Sequence, residues 1–391
     1  MADAPATAAE PDWLIERRRE GASLAEELAL PGSKTKGWEF TDLTELEGER
    51  FEPGNPAVEV QSELDGSGAR VGPLIEAASD GEFGDTVRRH FGTVVGRDDP
   101  FVARNEASWT GGTLVHVPRG EHLAEPVRIE VSAADGAASG ARTLIVLEDD
   151  AEAEVWERWG GGGAGLFNSV VELRVGAGAR LRYVVAQELS ERSWVFASQR
   201  AEVERDATLD WTALGFGSAR GKVRMETKLA GAGSSARVTG AYAGAGAQHL
   251  DYDTTQEHAA PHTTSDLAFR GVLAERATAV WRGMIRVDPG AQQTDAFQES
   301  RNLLLSPEAH ADAIPGLEIE ANDVRCTHAA AVAQIDRDQL YYLKTRGLDD
   351  ETARRLIVEG FLEALVERLA EGEVRETVSA ALERRLAEVL G

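Results

Sequence analysis

From about Trp109 onward, apolar and β-branched residues alternate with polar ones in short runs broken by Gly, Ala and Asp. That period-two texture predicts strands joined by tight turns. Within it one phrase recurs: an apolar residue, three turn-forming residues, then alanine. It occupies 147–151, 175–179, 203–207, 273–277, 287–291 and 305–309, ending on Ala151, Ala179, Ala207, Ala277, Ala291 and Ala309. The first three alanines are 28 residues apart, and Ala277 precedes Ala291 by 14. A small residue returning after a turn is what a stack of β-coils requires, because each corner is crowded by the coils on either side. The spacing therefore predicts a parallel β-solenoid over about 110–330. The alternative is a β-sandwich, whose turns do not call for alanine at a fixed offset. A solenoid also leaves end coils that need caps or partners.

The flanks have a different texture. Asp12 is placed to cap a helix over 13–28, with Trp13, Leu14, Leu24, Ala25 and Leu28 on one side and Pro31-Gly32 ending it. A second helix is predicted over 85–91, and 32–80, rich in Gly, Pro, Asp and Glu, reads mainly as loop. After Gln334 come a helix over 336–345 with Gly347 behind it, and another capped by Asp349 or Asp350, along which Ala353, Leu356, Ile357, Phe361, Ala364, Leu365 and Leu369 recur. A last helix over 373–390 repeats the pattern with Val374, Val378, Leu382, Leu386 and Val389. The organisation expected is an N-terminal helical region (1–90), a β-helix core (91–335) and a C-terminal helical unit (336–391). That last unit is too small to bury much by itself, so it is expected to dock.

Charge narrows the function. The 391 residues carry 41 Lys plus Arg against 67 Asp plus Glu, a formal net charge of −26. This excludes a nucleic-acid binder that works through a basic footprint. Five lysines against 36 arginines, with the acid excess, suggest a halophilic host whose salt screens the repulsion. No apolar run of 18 residues occurs, and the first ten residues are alanine-rich and acidic, so neither a membrane span nor a secretory signal is expected and the location expected is cytoplasmic. Cys326 is the single cysteine, which leaves no internal disulfide and fits a reducing compartment.

Nucleotide motifs fail on inspection. The stretch 215–223 has Phe216 where a P-loop needs glycine and Val223 where it needs Ser or Thr, so no nucleotide site is expected in this chain. The glycines of 160–163 and 244–246 read as turns between coils. Glu257, His258, His262 and Asp266 lie close in sequence, but Pro261 prevents a helical histidine pair, and a hydrogen-bonded structural histidine is the default. Cys326 and His328 are two apart in an extended run, so thiol and imidazole project to the same side and form half a ligand set for a soft or borderline metal. A buried, inert cysteine is the competing reading.

Longer motifs carry a resemblance. Asn302-Leu-Leu-Leu-Ser306, Ile314-Pro-Gly-Leu-Glu-Ile-Glu-Ala-Asn-Asp-Val-Arg-Cys326-Thr-His328 and Gln339-Leu-Tyr-Tyr-Leu-Lys-Thr-Arg-Gly347 closely resemble the SufB/SufD family of iron–sulfur cluster assembly scaffolds. So do Pro261-His-Thr-Thr-Ser-Asp266, Arg282-Gly-Met-Ile-Arg-Val-Asp-Pro-Gly-Ala291, Val115-His-Val-Pro-Arg-Gly120 and Gly37-Trp-Glu-Phe-Thr-Asp42. The likeness is dense over about 251–369 and looser before it. With one cysteine, no sulfur relay can run within this chain, so it looks like the SufD branch rather than SufB. Where the family usually has Cys-Ser-His-Gly-Ala-Thr, this chain has Cys326-Thr-His328-Ala-Ala-Ala331.

The resemblance implies a mainly β fold, a right-handed parallel β-helix between N- and C-terminal helical regions. It implies a non-catalytic subunit of a SufBCD-type complex with a SufB-like subunit and two copies of the SufC-like ATPase. The C-terminal helices are then the SufC-docking surface, and the solenoid end near 290–330 is the contact with SufB. A transient iron–sulfur cluster would be shared there, with His328 as ligand and Cys326 as auxiliary ligand or thiol. A homodimer through the same end is expected for the isolated chain. A self-associating structural solenoid and a polysaccharide-active β-helix enzyme are the rivals from other classes.

Overall fold

The computed structural model describes residues 10–49, 51–64 and 66–390. The reading of the first residues as lacking a secretory signal falls largely on 1–9, outside the described residues. Among the described residues the strands form one ten-stranded and one nine-stranded sheet, wound as a β-solenoid of about eight turns. Each coil gives one strand to each sheet, and every coil-on-coil pairing is parallel. In the ten-stranded sheet Val175 stacks on Leu147 and Val203 on Val175, reproducing the 28-residue repeat. The later steps, to Leu229, His258, Val287 and Ile319, are 26, 29, 29 and 32 residues.

The alanines sit at the corners. Ala151, Ala179, Ala207, Ala277 and Ala291 are buried, and the N–H of each closes a turn onto the carbonyl three residues earlier. Asp150, Gly178, Asp206 and Gly290, each immediately before such an alanine, take positive φ of 59°, 70°, 57° and 87°. The left-handed residue turns the chain, and the methyl group is as much as the stacked corner holds. The 14-residue step from Ala277 to Ala291 is half a coil, from the start of Thr278–Val287 in one sheet to the start of Thr294–Leu304 in the other.

Inside, alternate side chains of both sheets fill the lumen, with Val171, Leu173, Tyr183, Trp211, Phe269 and Trp281 all fully buried. His258 is enclosed there, its two ring nitrogens taken by Thr263 Oγ1 at 2.7 Å and Ser265 Oγ at 2.8 Å. Burial lowers its imidazole to about 4 from 6.5, because the charged form would lose its hydration.

The flanking regions cover the outer faces. N-terminal residues pack on the ten-stranded sheet, where Trp38 stacks on Phe101 and Phe101 on Phe196. Two buried ion pairs pin this cover: Arg142 to Glu172, whose carboxylate also accepts hydrogen bonds from the N–H groups of Gly92, Val94 and Val95, and Lys222 to Asp251, which accepts a hydrogen bond from the Thr41 hydroxyl. Helices Asp350–Val366 and Glu373–Leu390 lie on the nine-stranded sheet, setting Val358, Leu362, Leu365, Val378 and Leu386 against Val184, Leu214, Ala243 and Val272. Docking of the C-terminal unit on the solenoid is thus satisfied within the chain. Helix Arg337–Thr345 buries nothing and exposes Tyr341 and Tyr342.

Three local expectations need correction. Helix Asp12–Glu27 begins at Asp12, with Pro11 in the capping position and no side-chain cap. Residues 32–80 are loop only in part: Ala57–Gln61 and Arg70–Pro73 pair antiparallel with the first strand of each sheet, and Glu52–Gly54 adds to the ten-stranded one. These short strands close the first coil, whose edges would otherwise be unpaired. Helix Pro100–Ser108, capped by Asp99 through the N–H groups of Phe101 and Val102, stands where the β-helix core was expected to have begun. Of the two candidate caps Asp349 and Asp350, Asp349 accepts from Thr352 and serves as cap.

Two outcomes follow. Ala207→Leu overfills a corner and should lower unfolding free energy by about 1–3 kcal/mol, read as a lower urea midpoint at unchanged slope. His258 stays neutral in the fold while the unfolded chain binds a proton below 6.5. Stability should therefore fall as pH drops from about 6.5 toward 4, and His258→Gln should flatten that limb of the pH–stability curve.

Candidate functional site

Among the described residues the first coil is capped and the last is not. Strand His310–Ile319 ends the ten-stranded sheet and Val324–Gln334 ends the nine-stranded one, each with a single neighbour. Each therefore presents an unpaired backbone edge. The side chains that face the lumen in a complete coil are here left half covered: Leu317 is 38% exposed, Ile319 42% and Val332 42%.

Cys326 and His328 lie on this last strand. In its unbroken register with Thr294–Leu304, Cys326 stacks on Ala296 and His328 on Gln298. Ala296 and Gln298 are fully buried lumen residues, so the two candidate ligands share the lumen side, as their spacing predicts. Cys326 is half-buried and packs with Val324 in the cluster of Ile285, Val287, Ala291, Ala296 and Ala321. Burial, helped by the negative charge of Asp295, pushes its thiol up. The isolated chain thus holds a neutral thiol, and a nearby cation or metal is needed to draw out the thiolate. His328 is exposed at the open end. Ala329, in place of the family glycine, pairs with Glu299 in ordinary strand conformation, so no glycine is required there.

The other sequence candidates separate. Glu257 turns outward to Arg200 and Lys228, His258 is enclosed in the lumen, His262 sits in a turn at φ 60°, and Asp266 binds Arg368. They do not form one site. Lys222, in the glycine-rich stretch 215–223, is buried against Asp251 at 2.8 Å and is not available to a phosphate. Among the described residues no group of three His, Cys, Asp or Glu side chains is arranged to hold a metal. Cys326 and His328 thus place a thiol and an imidazole, groups of the kind that ligate iron, on one side of the last strand, with no third donor grouped beside them among the described residues.

Sequence reasoning missed what lies beneath His328. Trp281, Gln298, Ser300 and Asn302 make the lumen of the preceding coil polar. Strand alternation marks them as inward-facing, but nothing local in sequence tells which atoms meet across the lumen.

Comparison with known proteins fits this geometry. Residues 130–361 match the SufBD core domain of the SUF system for FeS cluster assembly. A SufBD family iron–sulfur cluster assembly protein of Mycobacterium tuberculosis is 31% identical over 371 residues, 91% of this chain and 89% of the relative. The iron–sulfur cluster assembly protein SufD of Bacillus subtilis is 28% identical over 96% of this chain and 95% of its own. SufB of the same organism is 28% identical over 73% of this chain and 62% of its own. A β-solenoid that ends in Cys326 and His328 on an uncapped coil, with these matches along it, belongs to the SufB/SufD family of iron–sulfur cluster assembly proteins.

Proposed function

We propose that this chain is a SufD-type, non-catalytic scaffold subunit that helps assemble an iron–sulfur cluster at a junction with a SufB-like subunit, while a SufC-like ATPase docks on its C-terminal helices. The cluster is cargo: it is built, held weakly and passed on. The observation that carries the reading is the open last coil, with His328 and Cys326 on its lumen side and half-exposed Leu317, Ile319 and Val332 around them. Apolar lumen residues and two free backbone edges fit the end of a second solenoid, which would pair strand to strand and enclose the donors. The nearly full-length likeness to SufD, against partial coverage of SufB, favours the SufD branch.

In this arrangement His328 donates a ring nitrogen to iron and Cys326 acts as auxiliary thiol, deprotonated once a metal is near. The partner supplies the remaining ligands. Shared, incomplete ligation suits a cluster that has to leave. Tyr341 and Tyr342, 71% and 56% exposed on a helix that buries nothing, support a docking role for the C-terminal unit. No helix among the described residues is long and apolar enough to cross a membrane. We place the complex in the cytoplasm of a halophile, in keeping with the acid excess and the lone cysteine. A homodimer through the same open end is the second reading, favoured by the same unpaired edges.

The test is co-purification with SufB- and SufC-like subunits in molar KCl, then anaerobic reconstitution with iron and sulfide. His328→Ala should remove most of the cluster absorbance while subunit association and thermal stability stay intact; undiminished absorbance counts against the ligand role. Tyr341→Ala should weaken SufC binding by about 2 kcal/mol, roughly thirty-fold in Kd, without changing association with SufB. Pairing with itself but with neither subunit would favour the homodimer.

A further inference from the structure

The open coil ends in two strand edges, and the two are not alike. In a parallel pair, successive residues turn their backbone N–H and C=O alternately toward the neighbouring strand and away from it. On the ten-stranded side the N–H of His310 bonds to the Ala277 carbonyl and that of Glu320 to the Val287 carbonyl, both on the coil below, and the register between these bonds is unbroken. Even-numbered residues of His310–Ile319 therefore bond inward, and Ala311, Ala313, Pro315, Leu317 and Ile319 face the free edge. Pro315 has no N–H to present there, and its ring stands where the donor hydrogen would be.

On the nine-stranded side the N–H of Ile335 bonds to the Leu304 carbonyl, again in unbroken register with the strand below. The outward row is Val324, Cys326, His328, Ala330, Val332 and Gln334, and every one of them turns an N–H and a C=O to the free edge. Side chains deepen the contrast. Strand His310–Ile319 carries His310, Asp312 and Glu318, with Glu320 directly after it, whereas from Ala329 to Ala333 the other strand has only alanine and valine. Proline and charge are what guard a strand edge against a further strand, and one edge of this coil has both where the other has neither.

We propose that Pro315 decides which edge of the open coil is used: a strand of the SufB-like subunit adds along the whole of Val324–Gln334, and His310–Ile319 stays unpaired about its proline. The inference rests on the reading of the open coil as the junction with that subunit, and it names the strand that carries the junction. Pro315 costs the fold nothing, since the N–H it lacks would have had no partner within the chain. Its effect falls on what can be added from outside.

The test follows backbone amide exchange residue by residue in the full chain, alone and bound to the SufB-like subunit in molar KCl. On binding, the N–H groups of Cys326, His328, Ala330 and Val332 should gain protection, while those of Ala313 and Leu317, on either side of Pro315, keep exchanging. Ala330→Pro removes one N–H that faces the free edge. It should weaken the association about tenfold in Kd and leave thermal stability unchanged. Should that variant not fold, Pro315→Ala carries the test: the restored donor opens the second edge, and light scattering should show larger self-associated species than the native chain forms. Protection of Ala313 and Leu317 equal to that of Cys326 and His328 would overturn the proposal, and so would unchanged self-association of Pro315→Ala. Protection of Val324–Gln334 by a second copy of the chain, with none from the SufB-like subunit, would overturn the choice of occupant. If no SufB-like subunit binds while Pro315→Ala still gains self-association, the junction reading fails and the role of Pro315 stands.

Discussion

Parallel stacking of coil on coil is the constraint on which the rest of this structure depends. Every coil satisfies its backbone and buries its inner side chains only by lying between two others, so the stack has to be ended at both sides. At the first coil the chain ends it from within, through the antiparallel strands Ala57–Gln61 and Arg70–Pro73. At the last coil no described residue does so. Two edges and a lumen cross-section remain open, and that is where the thiol and the exposed imidazole stand. The candidate functional surface is thus a place where the repeat stops without its usual neighbour.

The two outer faces are covered by opposite ends of the chain. The N-terminal cover is held by stacked aromatic rings and by the buried pairs Arg142–Glu172 and Lys222–Asp251. Buried pairs of this sort add little net stability over apolar packing but leave a costly orphan charge if one partner is lost, which ties the cover to a single seating. The C-terminal helices combine aliphatic packing with polar ties to the solenoid, Arg368 to Asp266 and Arg385 to Glu191, Gln248 and the Ala243 carbonyl, and they leave the tyrosines of Arg337–Thr345 outside. Both covers are tied down, and the C-terminal one keeps a face turned outward.

Much of the solenoid was legible in the sequence because its strongest requirement falls on single residues at fixed intervals. An alanine behind a left-handed turn residue reports the coil length directly, as Ala151, Ala179 and Ala207 do. Strand alternation likewise puts Cys326 and His328 on one side. The capping strands were not legible: Ala57–Gln61 carries only two alternating valines, and its partner Val127–Ser132 lies some seventy residues on. Helix Pro100–Ser108 did announce itself through Asp99 and Pro100, a signal masked by the strands that follow. The bonds that Gln298 donates across the lumen to the carbonyls of Gly283 and Gly316 were out of reach, since alternation says which way a residue faces and not what waits on the far sheet.

The central claim is that the open coil of this chain gives a histidine to iron at a junction with a SufB-like subunit. The most direct measurement is pulsed electron paramagnetic resonance of the reduced cluster in a complex where only this chain carries nitrogen-15 histidine. The account predicts a nitrogen-15 coupling to the cluster that disappears with His328→Ala. A cluster present at full yield with no such coupling would contradict it.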